Sequence, residues 1–425
     1  MQGPQPSKGS WRAALARASV DLRPLRASAP FRALFASRGL AQLGSLAAET
    51  ALLIQAKQLT ESPLVVGFLG AVEVAPLVVF GLAGGHLADR LDRRRLALAC
   101  EVALAAVAVL LTVNALLPQP QIAVVFVAAG LTMALSSLQR PSLDAAVPRL
   151  VVPQQLAAAA ALNSLFSNAG QIVGPALGGL VAAGPGPAVV YGVDALTFAA
   201  SVGLLLNLPS LRPRPGDPTV DVEIGGLRGL LEGFRYAAMH QELLGSYLVD
   251  LAAMILAYAV PLYPFFAGLL QANWATGLLF SAEAVGGLLV SVTSGWLGRI
   301  RRYGLGIAIA AAVWSAAIAA LGLAPDIVVA LLLLVVAGAG DMVSGVLRDA
   351  LWNRVIPDRV RGRMAGIALL SYGLGPSIGQ VRGGVFAGRL GVSRAITAGG
   401  VSALLAVGAL TLALPRYRRF RVPDA

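Results

Sequence analysis

Long apolar stretches alternate with short, arginine-rich polar segments along almost the whole chain. An apolar stretch of about 18 or more residues is long enough to cross the hydrocarbon core of a bilayer as a helix. Glycine and proline are frequent within these stretches, which is common in membrane helices. The pattern predicts an all-α membrane protein with twelve transmembrane helices, at 39–57, 64–88, 96–117, 120–139, 156–183, 187–208, 243–267, 272–298, 303–323, 326–347, 363–388 and 392–414.

The composition agrees with a membrane protein and excludes several other classes. Of the 425 residues, 57% are hydrophobic and only 13% are charged, whereas a soluble domain carries roughly 25% charged residues. One cysteine and two histidines cannot build a zinc or iron–sulfur site of the usual kind. We therefore expect neither a metal nor another cofactor.

The basic residues indicate how the helices are oriented. If the N-terminus is cytoplasmic, all but four of the 33 lysines and arginines lie in cytoplasmic tails and loops, the exceptions being Lys57, Arg382, Arg389 and Arg394. An excess of basic residues marks the cytoplasmic side. This predicts a multi-pass protein of the inner or plasma membrane with both termini in the cytoplasm. The same bias accounts for the net charge of +12, so nucleic acid is not an expected partner.

One long polar interval, residues 209–242, divides the predicted helices into two groups of six. It begins with a proline-rich string that cannot form a helix. It continues with Leu227, Leu230, Leu231 and Phe234 at helical spacing, which predicts a short amphipathic helix on the membrane surface. The expected segments are a tail at 1–38, a six-helix bundle at 39–208, a linker at 209–242, a second bundle at 243–414 and a tail at 415–425.

The two halves share sequence patterns. Gly-Pro-x-x-Gly occurs at 174–178 in the fifth predicted helix and again at 375–379 in the eleventh. The second and eighth helices both end in a glycine-containing string that is followed by a cluster of arginines. Two repeated halves are typical of secondary transporters, which alternate access to a central site by rocking one half against the other.

Two of these strings resemble signatures of the major facilitator superfamily. Gly-x-Leu-Ala-Asp-Arg at 85–90 is similar to the signature of the loop between helices two and three, with Asp92 where the family usually has glycine. The glycine-rich string at 170–179 resembles the antiporter signature, with Ala161 in place of one glycine. Shorter strings across the chain resemble the branch that contains siderophore (enterobactin) exporters and macrolide or multidrug efflux pumps.

This resemblance implies a proton-coupled exporter of a siderophore that works by alternating access. The alternative is a multidrug or macrolide efflux pump. A membrane-embedded enzyme is less expected because the chain lacks a set of paired histidines or a cysteine-centred cluster. An importer remains possible, although the antiporter-like string argues against it. The expected partners are a small-molecule substrate, protons and the lipid bilayer, and one chain that contains both halves is expected to be a monomer.

Acidic residues within the predicted helices are candidates for proton coupling. A charge at the bilayer centre costs about 2.5–3.5 kcal/mol or more, so such a residue is usually functional or paired. The candidates are Glu49, Glu73, Asp250 and Glu283. Asp194 is expected to be solvated near the outer face, and Glu101 and Asp341 are expected at the cytoplasmic interface.

The remaining candidates concern conformational change and substrate binding. The resemblance implies a cytoplasmic gate that consists of Gly85, Asp89, Arg90 and Arg140; alternatively, Asp89 only caps the loop and the arginines only set the topology. The fifth helix carries either a pivot or a tight packing surface, formed by Gly170, Gly174, Pro175, Gly178 and Gly179. Polar and aromatic residues proposed to line a substrate cavity are Gln42, Asn168, Gln171, Tyr258, Tyr263 and Arg382.

Overall fold

The computed structural model describes residues 21–212 and 226–421, and within these ranges it is helical with no strand. Each of the twelve predicted spans coincides with a helix, and these helices are numbered here in chain order. Their bounds are α1 Ala29–Thr60, α2 Pro63–Arg90, α3 Arg93–Leu116, α4 Ile122–Leu150, α5 Leu156–Ala183, α6 Pro187–Leu205, α7 Gln241–Leu269, α8 Thr276–Val292, α9 Tyr303–Leu321, α10 Ile327–Val355, α11 Asp358–Leu390 and α12 Val392–Ala413.

Nine helices in the described part of the chain are long and apolar enough to cross a membrane. The other three, α1, α5 and α11, are less apolar over the described residues. Each of the three contacts the opposite half of the molecule. A surface that packs on protein needs less apolar area than one that faces lipid, and small residues let helix backbones approach closely.

Several helices extend beyond the spans predicted from hydropathy. Helix α1 begins at Ala29, α4 ends at Leu150 and α10 ends at Val355. Arg38 and Arg140 therefore lie on helices, although the predicted spans 39–57 and 120–139 leave both residues outside. The physical reason is that apolar length marks only the hydrocarbon part of a helix, whereas the helix continues into the polar interface.

Local sequence determines where the helices begin and break. Ser62 and Asp326 are the N-caps of α2 and α10 and accept hydrogen bonds from the third backbone N–H beyond them, which satisfies donors that a helix end leaves unpaired. Helix α7 is interrupted between Ala257 and Tyr263. Pro261 within this break has no backbone N–H to continue the helix.

The first six helices pack mainly on each other, as do the last six, and two helix pairs connect the halves. Helix α2 packs along α11, and α5 packs along α8. The linker contributes a helix, Gly226–Met239, which packs on α7 and α11. We call the end of the bundle that carries residues 21 and 421 the inner end, and the opposite end the outer end.

Candidate functional site

Helices α5 and α8 meet through glycines near the outer end. A Cβ atom added to Gly179 would lie 2.3 Å from the Cα atom of Gly277, so neither position can carry a side chain without separating the backbones. The Ser281 hydroxyl donates a hydrogen bond of 2.6 Å to the Ile172 carbonyl across the same contact. The two halves are therefore joined along α5 and α8 by backbone-to-backbone packing.

Helices α2 and α11 meet in a similar way. A Cβ atom on Gly67 would lie 2.7 Å from the Gln380 carbonyl oxygen and from the Cα atom of Gly384. Both glycines lie in the outer part of their helices. Glycine thus permits close approach of the halves at two places, both toward the outer end.

Lys57 adds a polar contact at the outer end. Its ammonium group, in the last turn of α1, donates hydrogen bonds of 2.8 Å to the Pro264 carbonyl and 3.1 Å to Asn273 Oδ1 in the other half. The Phe265 ring centroid lies 5.8 Å from the same nitrogen. Together with the glycine contacts, Lys57 closes the outer end.

The segment that accepts from Lys57 is itself anchored inside the second half. Tyr263, which begins the outer piece of α7, donates a hydrogen bond through its hydroxyl to Glu283 of α8. Tyr263 is almost fully buried and packs edge-on against the Phe280 ring. The sequence-predicted residues Tyr263 and Glu283 therefore lie together, directly behind the Lys57 contact.

A cavity of about 220 Å³ lies between the halves. Most of its wall comes from α1, α2, α3, α4 and α6, and the second half contributes Tyr258, Val260 and Gln380. Two of the predicted acids, Glu49 and Glu73, line it. Glu49 is exposed although it lies far from the ends of α1, because it faces this cavity rather than packed protein.

Tyr258 connects the acids of the two halves. It lies at the break in α7, within electrostatic range of Glu49, Glu73, Glu283 and Asp341. Glu73 interacts with the Gln380 side chain of α11 and lies near Glu49. Three of the four predicted coupling acids are thus grouped around one tyrosine at the contact between the halves.

Asp194 and Glu101 differ from the expectation based on sequence. Asp194 is only 5% exposed and lines the cavity, so the expectation that it is solvated at the outer face is wrong. Glu101 is buried in α3 and accepts a hydrogen bond of 3.0 Å from Gln139 of α4. The sequence shows that both acids lie within helices, but hydropathy does not specify which helix face carries a residue.

Asp250, the fourth predicted coupling acid, does not line the cavity. It forms an ion pair with Arg348 of α10 inside the second half, and both side chains are nearly fully buried. Ser371 of α11 donates a hydrogen bond to the same carboxylate. The first half has an ion pair between the corresponding helices, α1 and α4, in which Arg38 lies 2.7 Å from Asp144, and this pair is more exposed.

The predicted helix-five residues lie on packing surfaces. Gly174 and Gly178 pack on the backbone of α1, where an added Cβ atom would lie 2.8 Å from Leu46 Cβ and 2.4 Å from the Ala47 carbonyl oxygen. Pro175 is buried inside α5, and its carbonyl contacts Gly277. Gly170 has only ordinary contacts. Of these residues, Pro175 and Gly179 touch the opposite half.

The structure describes the side chains of only part of the predicted cytoplasmic gate. At Gly85 and Asp89 only the backbone lies within the described residues. Arg90 is exposed and lines a basic pocket at the inner end together with Arg95 and Arg212. Arg140 is exposed on α4.

The loop between α2 and α3 is attached to the end of α6. Asp92 caps α3 and accepts hydrogen bonds from the Ser210 hydroxyl and the Leu211 amide. Burial raises the pKa of the Asp92 carboxyl, but these hydrogen bonds and those from the amides of Arg94 and Arg95 outweigh it, so its pKa is below the ordinary value. Asp92 thus stays charged and holds the loop to the start of the linker.

The other predicted cavity residues lie away from the cavity. Gln42 donates a hydrogen bond of 2.8 Å to Ser167 and lines a separate pocket between α1 and α5. Asn168 is half-buried and Gln171 is exposed on α5. Arg382 lies over the Phe386 ring and next to Gly399 of α12. None of these four residues lines the central cavity in this structure, because a one-dimensional pattern does not show the rotation of a helix.

Two helical halves that close at one end over an acid-lined cavity define a membrane transporter of the major facilitator type. Solved transporters of this type share the fold. A nucleoside transporter, NupG, aligns with a TM-score of 0.75 over 90% of this chain and 99% of that chain, at 12% identity. A peptide transporter, POT, aligns with a TM-score of 0.72 over 93% and 96% of the two chains, at 14% identity.

The chain belongs to the transmembrane secretion effector family of the major facilitator superfamily, whose family model matches residues 19–422. It is 29% identical to the enterobactin exporter EntS of Shigella boydii over 95% of this chain and 96% of that protein. It is 30% identical to EntS of Citrobacter koseri over the same shares of the two chains. The protein is therefore a multi-pass membrane transporter.

Proposed function

We propose that the protein is a proton-coupled exporter that moves a siderophore out of the cell by alternating access. Its similarity to enterobactin exporters along nearly the whole chain supports the direction and the substrate. The single observation that carries the mechanism is the acid-lined cavity between two halves that are closed at the outer end.

The proposed proton carriers are Glu49, Glu73 and Glu283, grouped around Tyr258. A carboxyl group in a site of low dielectric exchanges its proton more readily near neutral pH than one in water. Asp250 would take part through its ion pair with Arg348, because protonation of the carboxyl group removes its charge. Arg90 and Arg140, with Gly85 and Asp89, are proposed to close the inner end in the opposite state.

The cavity is smaller than the roughly 300–1,000 Å³ of a site for a drug-sized ligand. In the proposed cycle it therefore widens when the inner end opens fully to admit the substrate. Residues 39–208 and 243–414 would move as two units joined by the linker 209–242. The termini would lie in the cytoplasm, with the protein as a monomer in the inner membrane, as the basic residues at the inner end favour.

The alternative, efflux of drugs such as macrolides, is favoured by the charge of the cavity. Glu49, Glu73 and Asp194 line it, and no lysine or arginine does so in the described part of the chain. Ionised carboxylates attract an amine-bearing cation and repel an anionic catecholate. Protonated carboxyl groups carry no charge and would accept either the cation or the catecholate.

Transport into everted membrane vesicles tests the proposal. With an acidic interior, we expect the vesicles to accumulate labelled enterobactin, and a protonophore should abolish the accumulation. A macrolide is measured in the same vesicles, and preferential uptake of the macrolide would support the alternative. Accumulation that does not respond to the pH gradient would contradict proton coupling.

A further inference from the structure

An apolar groove runs along the surface of the second half, away from the central cavity. It has a volume of about 560 Å³, and its walls come from α8, α9 and α10 and the segment before α9. Ile309, Val313 and Val336 in its walls are all strongly exposed. An apolar surface of this kind on a membrane-spanning bundle is covered by lipid rather than by water.

The groove is as deep as one leaflet of a bilayer. It begins at Arg302, at the inner end, and follows α9 to Val313. At 1.5 Å per residue this length is roughly 16 Å, and half of the ~30 Å hydrocarbon core is about 15 Å. On α10 the wall extends from Val343 back to Val336, so both walls end at a similar depth.

The inner end of the groove has the residues expected at a lipid headgroup. Arg302 lines it and is exposed, and within the described part of the chain it forms no ion pair. Arg299 is exposed one turn earlier. Trp296 lines the same end and is 42% exposed, and tryptophan is enriched at the level of lipid headgroups.

We propose that this groove binds one anionic phospholipid from the leaflet at the inner end, with an acyl chain along α9 and the headgroup phosphate on Arg302. The aliphatic walls fit a hydrocarbon chain, and the arginines complement a phosphate. The bound lipid fills the space between α8, α9 and α10 and so supports their packing.

Native mass spectrometry of the detergent-purified full chain tests this site. Phosphatidylglycerol or phosphatidylcholine is added at equal concentration, and the lipid-bound fraction is measured for the parent and for Arg302→Gln. We expect phosphatidylglycerol to bind the parent more tightly than phosphatidylcholine, and Arg302→Gln to weaken it about fivefold, the size typical of one arginine at an anionic lipid surface. Arg394→Gln removes an exposed arginine at the outer end and should leave binding unchanged.

Two further arms distinguish a lipid site from a site for free phosphate. Ala339→Leu fills the groove without changing charge and should reduce phosphatidylglycerol binding while leaving the basic end intact. Glycerol phosphate alone should neither bind detectably nor compete, because it lacks acyl chains. Equal binding of both lipids, unchanged binding by Arg302→Gln, or full competition by glycerol phosphate would each overturn the proposal.

Discussion

Lys57 Nζ donates a hydrogen bond of 3.1 Å to Asn273 Oδ1, and this bond joins the first helix of one half to the segment that leads into α8 of the other. The same nitrogen donates to the Pro264 carbonyl. A cation that satisfies two acceptors across a closing interface stabilises the closed arrangement more than the open one, because opening leaves both acceptors to water.

Replacement of Lys57 by methionine should therefore open the outer end. Methionine keeps an unbranched apolar side chain but donates no hydrogen bond. Spin labels at Gln119→Cys and Leu323→Cys, in a Cys100→Ala background, report the distance between the two halves at this end. We expect Lys57→Met to increase the population of long distances. Arg394→Gln, which removes a different cation at the same end, should not change the distribution, and an unchanged distribution in Lys57→Met would contradict this role.

A methyl group at Gly179 should prevent the halves from closing. The added Cβ atom would lie 2.3 Å from the Cα atom of Gly277, and backbone atoms on both sides cannot move aside as a flexible side chain can. We expect Gly179→Ala to insert normally but to lose most transport. Gly203→Ala on α6 is the matched control because nothing lies within 4 Å of its added Cβ atom; equal transport by the two variants would show that the contact is not needed.

The sequence predicted where the long apolar helices lie and in which order, because apolar length is a one-dimensional property. It also predicted Glu49 and Glu73 as candidates for proton coupling, since ionisable groups within spans are rare, and Tyr258 as a polar and aromatic candidate for the cavity. It could not predict which face of α11 carries Arg382 or which face of α5 carries Gln171, because one residue of helical rotation turns a side chain by about 100°. Lys57 was visible only as an exception to the charge bias, and its partners are more than 200 residues away.

The ion pairs of the two halves were also invisible in the sequence, and they should differ in strength. Asp250 and Arg348 are nearly fully buried, whereas Arg38 and Asp144 are partly exposed. Removing one partner of a buried pair leaves an uncompensated charge and costs about 3–5 kcal/mol, whereas an exposed pair contributes about 0–1 kcal/mol.

We therefore expect Asp250→Asn to lower the thermal unfolding temperature in detergent much more than Asp144→Asn does. The double variant Asp250→Asn/Arg348→Gln should recover part of the loss, because no unpaired charge remains. Similar losses in the two single variants would contradict the difference in burial.

Neutralising the cavity acids should separate transport from its energy source. Glu49→Gln and Glu73→Gln keep the size and hydrogen-bonding capacity of the side chains but cannot carry a proton. We expect both to lose accumulation driven by a pH gradient in everted vesicles while they retain exchange of labelled for unlabelled substrate. Glu61→Gln, in the loop between α1 and α2, is the control and should behave like the parent. Gradient-driven accumulation by both cavity variants would remove them from the proton path.

Asp92 should make stability depend on pH in the acidic range. Its pKa is lower in the folded protein than the value of about 3.9 in an unfolded chain. Its contribution to the stability of the fold is therefore present at a pH above the unfolded pKa and is lost as the pH falls through the folded pKa.

Asparagine also caps helices well, so Asp92→Asn tests the charge and its bonds to Ser210 and Leu211. We expect the variant to unfold at a lower temperature than the parent at pH 7, and the gap to narrow as the pH falls below about 4. Ser210→Ala, which removes one donor, should give a smaller gap of the same sign; a gap that widens toward acid would show that the carboxylate is not stabilised in the folded state.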